Sequence, residues 1–268
     1  MTIAGDLREL ACRLAVDAGT MAAEGRRADI ESDGGRLAFG ASTKSSATDV
    51  VTRHDRAAEA VILDGLIAAR PDDAVIGEEG TNRAGTSGVS WYIDPIDGTS
   101  NFFYGLPMWS TSVAAVDAEG GLAGAVYIPA TAELFSAARG EGATRNDVAI
   151  AASAETDISL ALVATGFGYS ADARRRQAGM VNMIAPHIRD IRRMGSAAID
   201  LAYTAAGFLD AYWEEGLNMW DMAAGELIAR EAGCRSGNFA GGAPTPAQLL
   251  VAGPGVYDAM VWLLSGAG

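Results

Sequence analysis

The chain has 268 residues, 49% hydrophobic and 20% charged, a balance that suits a globular fold with a sizeable core and not a disordered chain. Its formal net charge is −14, from 34 acidic against 20 basic residues, so nucleic acid, which selects a basic footprint, is not an expected direct partner. Met1 to Asp6 carries neither a basic stretch nor an apolar one, and no apolar run reaches membrane-spanning length, so a cytoplasmic protein with no membrane association is expected.

From the N-terminus, Ile3, Leu7, Leu10, Leu14 and Ala18 recur at helical spacing, which predicts a helix over residues 3–22. Residues 24–48 are polar and Gly/Ser-rich and read as a mobile arm with a short hairpin near Leu37-Ala38-Phe39. Thr52 to Arg70 reads as a second helix, closed by Pro71. Ala74 to Gly77 is a short strand ending in Glu78 and Glu79. The apolar run from Trp91 reads as a strand that breaks at Asp94, before Pro95, and so projects Asp94 and Asp97 from a strand end. Ser110–Val116 and Leu122–Ile128 form a predicted hairpin, which Glu133–Ala138 extends.

Strands and helices alternate in the second half: strands at 160–165, 191–194, 208–213 and 249–252, helices at 172–188, 196–206, 220–232 and 256–264. Ser196 suits an N-cap, and Gly207 and Gly233 suit helix stops. The fold class expected is α+β (mixed α/β), with layered sheets and helices. Residues 1–268 read as a single domain, with an α+β lobe over about 1–150 and an α/β lobe over about 151–268.

Cys12 and Cys234 have no CxxC spacing and read as separate reduced thiols. The only histidines, His54 and His187, are far apart, so a metal here would be a hard cation held by oxygen: Mg²⁺ or Mn²⁺ first, Ca²⁺ second. Glu78, Glu79, Asp94, Asp97 and Asp221 are the acidic residues placed at element ends. Each also has a purely local explanation, as a turn residue or, for Asp221, as an acid at a helix N-terminus. The spacing of an EF-hand and a GxxxxGK[ST] loop are absent, and two isolated histidines offer little to a Ser or Cys nucleophile.

Asp94-Pro95-Ile96-Asp97-Gly98-Thr99-Ser100 resembles the first motif of the inositol monophosphatase family, the Mg²⁺-dependent, lithium-sensitive sugar phosphatases. Trp220-Asp221-Met222-Ala223-Ala224-Gly225 resembles the second motif. Gly77-Glu78-Glu79-Gly80 and the block from Lys44 to Thr52 resemble the family's other acidic segments, in the same order. The segments Gly166–Ser170 and Arg192–Ala198 are most similar to the bacterial SuhB-type branch.

The resemblance implies a layered αβαβα sandwich, normally a homodimer, that hydrolyses a phosphomonoester by metal-activated water attack. It implies that Glu78, Asp94, Asp97, Asp221 and the Ile96 carbonyl bind Mg²⁺, with Mn²⁺ as a substitute and Li⁺ inhibitory. Thr99, hydrogen-bonded to Asp49, would orient the attacking water with Glu78. The N–H groups of Gly98 and Thr99 would hold the phosphate. Gly195, Ser196, Ala197 and Glu214, with Asp97 and Asp221, would contact the polyol. Glu79 would stand behind the metal ligands, and Lys44 would offset phosphate charge.

Asn218 stands where many animal members have histidine, and altered affinity is expected from it. Ala197 with Glu214 is the polyol-monophosphate arrangement, so inositol 1-phosphate is the first substrate expected. Histidinol phosphate comes second, then other sugar or nucleotide phosphates of the same family. A role mainly as a partner in a transcription or ribosome-assembly complex is the rival of another class.

Overall fold

The computed structural model describes residues 2–32, 42–43, 50–51 and 53–266. It opens with α1 (Ile3–Ser32), the short pair β1 (Ser42–Thr43) and β2 (Val50–Val51), then α2 (Arg53–Ala69), β3 (Ala74–Gly77), β4 (Asn82–Arg83), β5 (Ser90–Asp97) and α3 (Thr99–Tyr104). An antiparallel run follows in β6 (Ser110–Asp117), β7 (Gly120–Ile128), β8 (Glu133–Ala138), β9 (Ala143–Arg145) and β10 (Val148–Ala149). The second half holds β11 (Leu162–Thr165), α4 (Ala171–Ile184), β12 (Asp190–Arg192), α5 (Ala197–Ala205), β13 (Ala211–Glu214), α6 (Met219–Glu231), β14 (Arg235–Gly237), β15 (Leu249–Ala252) and α7 (Tyr257–Leu264).

The larger sheet has the order β10-β9-β8-β7-β6-β5-β3-β4, and the second sheet β12-β11-β13-β15-β14. In the larger sheet only β3 and β5 are parallel; in the second, β11 is parallel to both neighbours and β15 antiparallel to β13 and β14.

Alternation along the strands builds the layers, because successive side chains leave a strand on opposite faces. Val113 and Ala115 of β6 enter a core with Leu10, Leu14, Ile62 and Leu66 of α1 and α2. Ala114 between them turns to the other face, into a core with Leu201 of α5 and Ala224, Leu227 and Ile228 of α6. Tyr212, Leu249 and Val251 close that central core from the second sheet, while their neighbours Ala211, Trp213, Leu250 and Ala252 face Ile184 of α4 and Met260 and Leu263 of α7. The order is therefore helix, sheet, helix, sheet, helix: the expected mixed α/β sandwich.

Four departures from the expected elements stand out. First, α1 runs on to Ser32 through residues read as part of an arm. The extra turns are held by tertiary contacts: Arg26 lies over the Phe102 ring at 5.2 Å, and Asp29 pairs with His54 at 2.8 Å. The expected hairpin at Leu37-Ala38-Phe39 lies outside the described residues. Second, β5 does not end at Asp94; it continues to Asp97 with a register shift between these residues. Pro95 has no N–H to give the ladder, and a bulge absorbs the lost bond while the strand keeps its direction. Thr111 supplies a hydroxyl to the Pro95 carbonyl at 2.8 Å. Third, the expected helix over 172–188 stops at Ile184, and Ala185–His187 tightens into a 3₁₀ turn around Pro186. Fourth, β14, an edge strand against β15, carried no alternating pattern in the sequence.

Candidate active site

The ends of β3 and β5 and the starts of α3, α5 and α6 meet at one cavity of about 190 Å³. Glu78, Asp94, Ile96, Asp97, Gly98, Thr99, Gly195, Ser196, Ala197, Glu214 and Asp221 all border it. Lys44 and Asp49 lie outside the described residues. Glu79 does not border the cavity and is half-buried in the turn after β3.

Asp94 is 1% exposed, and its Oδ1 accepts the Ile96 N–H at 3.0 Å, a local bond across the bulge. Burial holds its carboxyl well above the usual carboxylate range, with Glu78, Asp97 and Asp221 adding like-charge repulsion. Asp97 is held most tightly: its Oδ2 accepts the Ser196 hydroxyl at 2.6 Å and the Ala198 N–H at 2.7 Å. Those donors belong to the open N-terminus of α5, where a negative charge is favoured. Burial still outweighs them, and its pKa is raised to about 6.

Asp221 sits three residues into the α6 cap, where its Oδ2 accepts the Asn218 N–H at 2.6 Å and the Asn218 side-chain amide at 3.3 Å. Asn218 thus acts on the acid directly. Burial and then Asp97 push Asp221 well above its ordinary value. Glu214, at the end of β13, accepts the Tyr212 hydroxyl at 2.6 Å, and burial raises its pKa to about 7.

Gly98 separates β5 from α3 at φ 93°, a left-handed conformation that suits a residue without Cβ. A Cβ there would also stand 3.0 Å from the Gly195 carbonyl, so the two loops approach backbone to backbone. Asn101 ties them, donating its amide to the Met108 and Met194 carbonyls.

The carboxylate seen behind Thr99 is Asp55. The Thr99 hydroxyl lies 3.3 Å from Asp55 Oδ1 and 3.1 Å from the Ile96 carbonyl, and Asp55 is fully buried at 0%. Sequence reasoning missed Asp55 because it reads as an ordinary acid in the first turn of α2. A signal was present: His54, Asp55 and Glu59 fall in phase with the buried stripe of Ala58, Ile62 and Leu66.

Glu59 was missed for the same reason. Its Oε2 accepts the Glu79 N–H at 2.7 Å, and its Oε1 accepts the Thr81 N–H at 3.0 Å and the Thr81 hydroxyl at 2.6 Å. It clamps the turn that carries Glu78, and a Cβ at Gly77 would lie 2.4 Å from Glu59 Oε2. Glu59→Ala leaves these donors without an acceptor and is expected to cost about 2–3 kcal/mol. The check is a lowered urea midpoint at constant m; an unmoved midpoint contradicts the clamp.

Toward a cation, the cavity offers oxygen donors only, mostly buried or half-buried acids whose repulsion a divalent ion relieves, and this chemistry fits a hard cation. Among the described residues, no group of three or more His, Cys, Asp or Glu side chains is already gathered as a ligand cluster. The fit rests on the donor chemistry.

The αβαβα fold thus brings its acidic groups to one small cavity beside a left-handed glycine turn. Residues 5–263 match the inositol monophosphatase family. Inositol-1-monophosphatase SuhB of Mycobacterium tuberculosis is 41% identical over 274 residues, covering 95% of this chain and 92% of that protein. Nus factor SuhB of Pasteurella multocida is 39% identical over 251 residues, covering 91% and 90%. The crystal structure of extragenic suppressor protein SuhB from Bartonella henselae aligns with a TM-score of 0.89 at 31% identity, over 97% of this chain and 98% of that one. The chain belongs to the inositol monophosphatase family and is a phosphatase. No helix of the described residues is long and apolar enough to cross a membrane.

Proposed function

We propose that this phosphatase is a Mg²⁺-dependent phosphomonoester hydrolase that releases inorganic phosphate from myo-inositol 1-phosphate. The carrying observation is that Glu78, Asp94, Asp97 and Asp221, from three separate segments, border one cavity with Gly98, Thr99 and Glu214. Glu78, Asp94, Asp97, Asp221 and the Ile96 carbonyl would hold the metal, with Mn²⁺ as a substitute and Li⁺ as an inhibitor. Bound there, Mg²⁺ supplies charge neutralisation and a lowered pKa for the attacking water.

The chain's own groups orient the reaction. The Thr99 hydroxyl, between Asp55 and the Ile96 carbonyl, positions the water with Glu78. Asp49 keeps its expected part beside Thr99, and Asp55 is a second carboxylate on the same hydroxyl. The N–H groups of Gly98 and Thr99 hold the phosphate, and Lys44 offsets its charge. Gly195, Ser196 and Ala197 border the polyol, and Glu214, held by Tyr212, accepts one of its hydroxyls. Residues 1–268 act as one unit, in a cytoplasmic homodimer. The Pasteurella multocida relative is a Nus factor, and action as a partner in a protein complex is the second reading.

Phosphate release from inositol 1-phosphate, histidinol phosphate, fructose 1,6-bisphosphate and 3′-phosphoadenosine phosphate, with Mg²⁺ and with EDTA, tests the proposal. Inositol 1-phosphate is expected to be fastest, with release abolished by EDTA. Release undiminished by EDTA overturns the metal reading. No turnover of any ester, with a stable complex in a pull-down, favours the second reading.

A further inference from the structure

One buried acid at the cavity has no part in the chemistry above. Asp200 lies in α5 with 1% of its surface exposed, among Ala198, Ile199, Leu201 and Ala202, all fully buried. Its N–H makes an ordinary helical bond to the Ser196 carbonyl at 3.1 Å. Its side chain is different: Oδ1 is buried and has no hydrogen-bond partner. A buried acceptor left unsatisfied is among the costlier features a fold can retain, and an apolar residue at this place on α5 would avoid the cost. Burial, then Glu214 and Asp97, push the Asp200 carboxyl well above its usual range, with only Arg193 opposing.

The surroundings say what could satisfy it. Asp200 borders the same cavity as Glu214 and Arg193. Glu214 offers acceptor oxygens, one of them engaged by Tyr212, and Arg193 can only donate. A hydroxyl both donates and accepts, so neighbouring hydroxyls on one ring can answer all three groups; an apolar alcohol answers none.

We infer that Asp200 is a specificity-determining residue that accepts a hydrogen bond from a hydroxyl of the substrate's polyol part, at the end of the cavity that Glu214 also borders. The inference rests on the phosphomonoesterase reading and deepens it. Asp200 bears on which alcohol is accepted and takes no part in cleaving the phosphate. A polyol hydroxyl bound beside Asp200 would offset the cost of burying this acid, which is how a site built for a hydroxyl rejects esters that lack one.

The test compares wild type, Asp200→Ala and Asp200→Asn on inositol 1-phosphate and on 4-nitrophenyl phosphate, whose alcohol part has no hydroxyl to offer. The ratio of kcat/KM for the first ester over the second is expected to fall about tenfold or more in Asp200→Ala, mainly through KM. Asp200→Asn, which keeps one acceptor oxygen, should lie between. The thermal midpoint of Asp200→Ala should equal or exceed that of wild type, because a buried unsatisfied carboxylate has gone. An unchanged ratio, or a midpoint lowered by several degrees in both variants, overturns the inference by assigning Asp200 to the scaffold. If wild type hydrolyses neither ester, the phosphomonoesterase reading fails and this one with it; if it hydrolyses both and the ratio does not move, only the role of Asp200 fails.

Discussion

Asp97→Asn is expected to lower kcat for inositol 1-phosphate by on the order of a thousandfold, about 4 kcal/mol in the barrier, while leaving the fold intact. Asp97 Oδ2 accepts from the Ser196 hydroxyl and the Ala198 N–H, both at the start of α5. An asparagine can present its carbonyl oxygen to those donors, so the loops stay together. Its NH₂ must then occupy the place of Oδ1. The change substitutes a donor for an anionic acceptor and removes a charge proposed to bind the cation. Stability should hold or rise, since burial already opposes ionisation of Asp97, whose pKa is raised to about 6. Circular dichroism and the thermal midpoint check the fold, and steady-state phosphate release checks the rate. A variant that keeps more than about a tenth of wild-type kcat would remove Asp97 from the metal site.

Saturating Mg²⁺ is expected to raise the thermal midpoint near pH 7.5, and EDTA to reverse the rise. At a hundred times Kd the stabilisation is about 2.7 kcal/mol. For a chain of this size that is roughly 5–10 °C. The effect should depend on pH with a definite sign. Asp97 has its folded pKa raised from 3.8 to about 6, so without metal the folded state binds more protons across that window. Its contribution therefore favours the fold at low pH and is lost as pH rises from about 4 to 6. Asp94 and Asp221 are shifted in the same direction. Mg²⁺ competes with those protons for the same oxygens, so the metal-induced rise should be smaller at pH 5 than at pH 7.5. Differential scanning calorimetry at both pH values, with Mg²⁺ and with EDTA, measures it. A midpoint indifferent to Mg²⁺ at pH 7.5 would sink the proposed metal site.

Much of the scaffold was legible because its signals are local. The stripe from Ile3 to Ala18 placed the first half of α1, and Pro71 marked the exit from α2. Ser196 and Gly207 bracketed α5 as read: Ser196 accepts the Ile199 N–H at 3.2 Å, and Gly207 has φ 70°. The acidic motifs were legible for a related reason. Glu78 follows β3 and Asp97 ends β5, with Asp94 at the bulge just before, and there a carboxylate stands out against the apolar run that precedes it. The far half of α1 was not legible, because Arg26 and Asp29 are polar in sequence and helical through Phe102 and His54, partners that only folding brings near. The continuation of β5 past Asp94 was hidden by proline, whose local preference predicts a break that pairing with β6 overrides.

By itself, the sequence determined the order of the longer helices and strands, the faces they bury and the acidic blocks that mark the family, because periodicity and capping act over a few residues. Only the tertiary structure decided which polar groups on buried faces meet. Asp55, Glu59 and Asp200 look alike in the chain, each an acid within a helix. Packing α2 against β5 sets Asp55 on Thr99 and Glu59 on the turn of Glu78, while α5 leaves Asp200 at the cavity with an unanswered oxygen. Those meetings depend on contacts between residues 20 to 44 positions apart, or more, which no local pattern encodes.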